Sequence, residues 1–170
     1  MAQALIDAVK DRFSAAVLDS HSQAGDDTIV LQGEALLDVV GFLRNDPATS
    51  MEMLVDVTAV DWLGRREPRF EVVYHLYSVS LKHRLRIKVP LSGDDPSVSS
   101  LCSIYKGANW PERETYDMFG IRFEGHGDLK RILLYEEFEG HPLRKDYPKR
   151  GHQPLMDVPS LAYDPEDQDE

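Results

Sequence analysis

The chain has 170 residues, 42% of them hydrophobic, with a formal net charge of −11 and one cysteine, Cys102. Its length suits a single domain that buries roughly 70% of the surface its unfolded chain exposes, and one thiol excludes an intrachain disulfide and any all-cysteine iron–sulfur or structural zinc site. Thirty acids against 19 bases disfavour a phosphate backbone, so no nucleic acid is expected as a partner, and no apolar run approaches the roughly 18 residues of a bilayer-crossing helix. The opening MAQALIDAVKDRFSAA lacks the basic-then-apolar order of a signal peptide, so a soluble, unprocessed chain in a reducing compartment is expected. The charge is uneven, because residues 151–170 hold six of the acids and no base.

In chain order, Leu5, Val9, Phe13 and Ala16 fall at helical spacing and predict an amphipathic helix over residues 2–17. A short strand, Thr28 to Leu31, follows. Leu36, Val39, Val40 and Leu43 predict a second helix that Gly41 weakens slightly and that ends before Pro47, since the residue before proline is pushed out of the helical region. The period then becomes alternating. In MEMLVDVTAV, Met53, Val55, Val57 and Ala59 are expected on one face, with Asp56 and Thr58 on the other. Phe70, Val72, Tyr74 and Leu76 define a second such strand. In a third, Leu81, Leu85, Ile87 and Val89 are expected to face inward, with Lys82, Arg84, Arg86 and Lys88 outward.

Those four bases resemble a backbone-binding ribbon, but no aromatic platform accompanies them. A solvated face with cross-strand partners such as Glu71 or Asp56 is the expectation. Asp95 and Pro96 then read as the start of a short helix carrying Val98, Leu101, Ile104 and Tyr105 and ending at Gly107. Pro111 opens another, with Glu112 and Glu114 in its first turn, Arg113 and Asp117 at i,i+4, and Gly120 past its end. IRF and RILLY read as strands, and the connection from Gly140 as irregular. The fold class expected is α+β: an antiparallel or mixed sheet of about four strands with helices on one face, as one domain over 1–150, plus an irregular C-terminal arm over 151–170. The prolines Pro154, Pro159 and Pro165, with spaced apolar side chains, suit an extended arm on a neighbour, and the acidic DPEDQDE end suits solvated disorder.

The densest charge and aromatic content runs from Trp110 to Pro148. Glu112 and Glu114 diverge by about 200° around a helix, which suits two contacts better than one acid–base pair. His126, His141 and His152 lie at separations that match no metal-ligand motif, and no cysteine lies near in sequence. The glycines are too scattered for a dinucleotide fingerprint. Catalytic, cofactor and metal residues are therefore all expected to be none. Arg113, Arg131 and Arg144 suit bidentate carboxylate contacts, either with another protein surface or inside the chain; the residues alone leave both open.

The run Glu112-Arg113-Glu114-Thr115-Tyr116-Asp117-Met118-Phe119-Gly120-Ile121, then Phe123, Gly125-His126, Leu129-Lys130-Arg131-Ile132-Leu133 and Gly140-His141-Pro142-Leu143-Arg144-Lys145-Asp146-Tyr147-Pro148, closely resembles the signature of the C-type, 30-kilodalton subunit of proton-pumping NADH-quinone oxidoreductase. This is the NuoC-like family of respiratory complex I. Two positions depart from that pattern: Gly127 stands where proline is common and Lys130 where arginine is usual. The resemblance implies a cofactor-free structural component of the peripheral arm. The complex as a whole uses NADH, FMN, Fe-S clusters and quinone, and is a translocase. The implied partners are the large D-type, 49-kilodalton subunit and the neighbouring Fe-S subunits of the B and I types. The implied location is peripheral, on the cytoplasmic side of the cell inner membrane, with membrane contact only through the assembly. It also assigns Glu112, Arg113, Glu114, Asp117, His126, Arg131, His141, Arg144, Lys145 and Asp146 to a subunit interface. A homologous component of a membrane-bound hydrogenase or other donor:quinone complex is the alternative, and a stand-alone enzyme using Glu112, Glu114, Asp117 and His126 the more distant one.

Overall fold

A computed structural model describes residues 2–93, 95–150 and Gln153, with backbone alone for residues 2–4. The expected arm over 151–170 otherwise lies outside the described residues. Helix α1, Ala2–Phe13, gives way to one 3-10 turn and strand β1, Val17–Gln23, so the first helix is shorter than its spacing suggested. Strand β1 carries little alternation because it is a sheet edge exposed on both faces. A hairpin turn at Ala24–Gly25, both at positive φ (54° and 86°), joins it to β2, Asp26–Leu31.

Helix α2, Leu36–Asn45, buries Leu36, Val39, Val40 and Leu43 and stops where Asp46, before Pro47, takes an extended conformation. Three long strands follow, β3 (Met53–Asp61), β4 (Phe70–Ser78) and β5 (His83–Leu91), as an antiparallel meander. Strand β2 adds in parallel to β5, giving a five-stranded mixed sheet in the order β1-β2-β5-β4-β3.

Helices α1 and α2 and the inward residues of the sheet share one hydrophobic core, in which Phe70, Val72, Tyr74, Leu85, Ile87 and Val89 are at most 1% exposed. Two details of the alternation differ from expectation. The β3 register shifts between Leu54 and Asp56, so Met53 and Val55 are exposed while Leu54 packs on the core. Leu81 is also exposed, because Lys82 at φ 57° ends the turn and the strand begins only at His83. On the open face Lys88 meets Glu71 at 3.0 Å and Arg86 meets Asp26 at 3.3 Å, so these bases have cross-strand partners.

The expected helix after Pro96 does not form. Ser97–Ser99 is instead strand β6, paired in parallel with β7, Arg122–Glu124, and Leu101–Tyr105 is a turn. Two amides tighten the pair: Arg122 N–H donates to Pro96 and Ser100 N–H to Glu124. Helical spacing of Val98 and Leu101 was misleading because both bury through different elements against the same core. Helix α3, Asn109–Phe119, closes on Gly120 in the left-handed region at φ 70°. It packs along β3, where the Thr115 hydroxyl donates to the Val57 carbonyl at 3.1 Å.

Candidate functional site

Helix α3 sets two carboxylates in the interior and leaves a third outside. Glu112 and Asp117 are 0% exposed, and Glu114 faces solvent. The divergence of Glu112 from Glu114 is therefore realised, one carboxylate inward and one outward.

Asp117 organises the irregular segment after β7. Its Oδ2 accepts the backbone amides of Ile132, Leu133 and Leu134 at 3.1, 2.9 and 2.9 Å, and its Oδ1 meets Arg131 Nη1 at 2.7 Å. Those amides are the donors that a strand would have spent on a neighbour, which is why RILLY is not a strand. Arg131 also donates to the carbonyls of Phe138 and Gly140. Burial would raise the Asp117 carboxyl, but the three amides and Arg131 outweigh it and hold the group below its ordinary value.

Arg113 does not pair with Asp117. It crosses to the carbonyls of Lys130 and Arg131 at 3.0 and 2.8 Å, fastening the same segment from the other side. His141 Nδ1 donates to the Asp117 carbonyl at 2.9 Å, and burial lowers its pKa. Arg144 Nε donates to the Phe119 carbonyl, and its guanidinium lies 5.2 Å from the Phe70 ring centroid. A Cβ on Gly120 would stand 2.5 Å from His141 Nε2 and 2.7 Å from Arg144 Nη2, so both the positive φ and the close approach need glycine.

A second carboxylate, at the end of β3, escaped the sequence reading. Asp61 takes a bidentate bond from Arg69 at 3.0 and 2.8 Å and accepts the Lys145 amide at 2.8 Å, and Arg69 also reaches Asp146 at 2.9 Å. Burial opposes ionisation of Asp61, yet Arg69 and the amides of Lys145 and Leu63 bring its pKa down to about 2. An inward acid at the last position of an apolar strand face was the signal available.

Glu112 is held differently. Its Oε1 accepts the Leu101 amide at 2.7 Å, and its Oε2 accepts the Ser100 hydroxyl at 2.6 Å and the Cys102 thiol at 3.5 Å. Burial dominates here and raises the pKa. Cys102, Glu112 and His126 each place one ligand-type atom within 4.8 Å of the others. Linear spacing hid this cluster, because Cys102 and His126 are brought together by the β6–β7 pairing.

Of the ten residues expected at an interface, Glu112 and Asp117 are buried, Arg113, His126, Arg131, His141 and Arg144 are half-buried and bonded within the chain, and Glu114, Lys145 and Asp146 are exposed. Beside Glu114 lies an apolar groove that includes Pro111 and Ile132, with Trp110 at 71% and Leu133 at 61% exposure on its rim.

The family described as respiratory-chain NADH dehydrogenase, 30 kD subunit, matches residues 29–153. The chain belongs to that family. Among its relatives, the C-type subunit of NADH-quinone oxidoreductase from Roseiflexus castenholzii is 52% identical over 133 residues, covering 78% of this chain and 76% of the relative. That of Citrifermentans bemidjiense is 48% identical over 143 residues, covering 84% and 87%. Among solved structures, the trypsin-resistant fragment (1–134) of Nqo5 superimposes with a TM-score of 0.64 at 28% identity, covering 76% of this chain and all of the fragment. A chain of the membrane-bound sulfane sulfur reductase, an archaeal respiratory membrane complex, superimposes with a TM-score of 0.72 over 86% of this chain and 85% of its own. At 22% identity that likeness speaks for the fold alone. The matched span includes Arg113, Asp117, Arg131, His141 and Arg144, whose bonds lock the irregular segment onto α3.

Proposed function

We infer that this chain is the C-type, 30-kilodalton component of an NADH-quinone oxidoreductase, part of the peripheral arm of respiratory complex I. Membership of the 30-kilodalton family carries this reading, with relatives named as that component at 41–52% identity over most of the chain. The chain takes part in electron transfer from NADH to quinone as a member of the assembly, whose cofactors are FMN and Fe-S clusters. We propose that it contributes no cofactor-binding or catalytic group of its own to that reaction, and that the assembly is proton-translocating.

The partners proposed are the D-type, 49-kilodalton subunit and the Fe-S subunits of the B and I types, at the cytoplasmic side of the inner membrane. No helix among the described residues is long and apolar enough to cross a membrane, in keeping with a peripheral position. Within this reading the buried Glu112 and Asp117 and the half-buried Arg131 and Arg144 act from below and shape the surface. Exposed Glu114, Lys145, Asp146 and the groove between Trp110 and Leu133 touch the partner, since a contiguous exposed apolar patch rimmed by charge is a usual docking surface.

Isolating the tagged chain from its native membrane with its companions tests the reading. Co-purification of flavin and iron–sulfur subunits is expected, and Trp110→Ser with Leu133→Ser should reduce it without lowering the melting temperature of the chain. Recovery of hydrogenase subunits in place of the flavin subunit would overturn the assignment. Undiminished co-purification of the double variant would overturn the docking face.

A further inference from the structure

Buried Glu112 lacks the partner a carboxylate usually has. It is 0% exposed, and among the described residues none of the ion pairs involves it. Burying a carboxylate without a counter-charge is costly unless the group is neutral or holds a cation. Asp61 and Asp117, the other wholly buried acids of this region, both have an arginine. Beside Glu112 stand a thiol and an imidazole in its place.

The three side chains come from three separate pieces of backbone that the fold has already fixed. Cys102 lies in the turn after β6, Glu112 in the first turn of α3, and His126 just beyond β7. Their ligand-type atoms lie within 4.8 Å of one another, with Cys102 Sγ 3.5 Å from Glu112 Oε2. His126 Nδ1 accepts the Asp128 amide at 3.1 Å and Nε2 donates to the Asn109 carbonyl at 3.1 Å, so both nitrogens hold the ring in one orientation. Ligation through one ring nitrogen displaces one of these two bonds and keeps the other as the outer contact to backbone that metal-bound histidines commonly have. The Leu101 amide on Oε1 is a similar outer contact for the carboxylate.

We propose that Cys102, Glu112 and His126 bind one divalent cation of the zinc class. One sulfur, one nitrogen and one oxygen donor suit zinc and cobalt, whereas magnesium and calcium take oxygen sets. Three protein ligands leave a fourth position for water. Cys102 and His126 are half-buried, so the site is reachable from solvent. A bound cation would tie the β6–β7 pair to the start of α3 and stabilise the chain in proportion to its occupancy.

Cobalt(II) titration of the full chain under a non-thiol reductant tests this, because Cys102 is the single cysteine and any thiolate-to-cobalt charge-transfer band must come from it. The expected result is that band, with tetrahedral visible bands, saturating at one cobalt per chain, displaced by zinc, and accompanied by a higher melting temperature. His126→Gln should weaken cobalt binding by about tenfold or more, and Cys102→Ser should abolish the band. Absence of the band in excess cobalt would overturn the proposal. So would saturation at one cobalt per two chains, which would mean thiolates bridging two copies, or unchanged affinity in His126→Gln, which would mean a thiol acting alone. His126→Gln changes a half-buried position, so the test stands even if Cys102→Ser folds poorly.

Discussion

Replacing Asp117 by asparagine removes one charge and one acceptor from the centre of the α3 anchor while keeping its shape. Asparagine has one oxygen, and two placements compete. With Oδ1 on the amides of Ile132, Leu133 and Leu134, the side-chain NH2 faces Arg131 Nη1, donor against donor, where a 2.7 Å ion pair stood. The flipped placement sacrifices three amides, so the first prevails. Arg131 keeps the carbonyls of Phe138 and Gly140 but loses its counter-charge.

The side chains are 18% and 0% exposed, so solvent screens the pair little. A charge-assisted bond contributes about 1.5–3 kcal/mol and breaking a buried pair costs about 3–5, which puts Asp117→Asn near 3 kcal/mol. For a chain of this size that is a fall of about 6–12 °C in melting temperature. Asp117→Ala also strips the three amides and should cost about 5 kcal/mol or more. Thermal unfolding followed by circular dichroism, with hydrogen exchange at residues 132–134, separates the variants. Those amides should stay protected in the asparagine variant and exchange quickly in the alanine variant. If both variants melted within about 3 °C of the parent, or if Asp117→Asn and Arg131→Met were additive, Asp117 would not be the anchor described.

Asp61 gives an acid limb to stability. Its folded pKa, about 2, lies below the ordinary 3.8, so between these values the unfolded chain binds more protons. The stabilisation is complete above about pH 4, is lost as pH falls through 2, and amounts to about 2 kcal/mol; Asp61→Asn should flatten that limb in acid titrations of unfolding free energy. Gly120→Ala should cost about 2 kcal/mol or more, from the positive φ and displacement of His141, and a variant as stable as the parent would contradict the geometry. Arg144→Ala should lower the melting temperature of the isolated chain by about 6 °C, through loss of the bond to the Phe119 carbonyl and the contact with Phe70. An unchanged melt would return Arg144 to a purely intermolecular role.

Features that depend on local stereochemistry were legible in the residues alone. Period 3.6 marked α1 and α2, alternation marked β4 and β5, Pro47 stopped α2, and Gly120 closed α3, whose start at Asn109 lies two residues before the expected Pro111. The family was legible too, because a long ordered signature is specific without any knowledge of where its side chains go.

Features that depend on residues distant along the chain came from the fold. The parallel joining of β2 to β5 and of β6 to β7, the shift that exposes Val55, and the meeting of Cys102 with His126 leave no periodic trace. The charges of the Trp110–Pro148 stretch show the same division. Their density was plain in the sequence, but a carboxylate such as Asp117 is satisfied equally by a partner's arginine or by its own chain's amides. Only the fold, by carrying residues 131–134 back over α3, determined that the amides lie within reach.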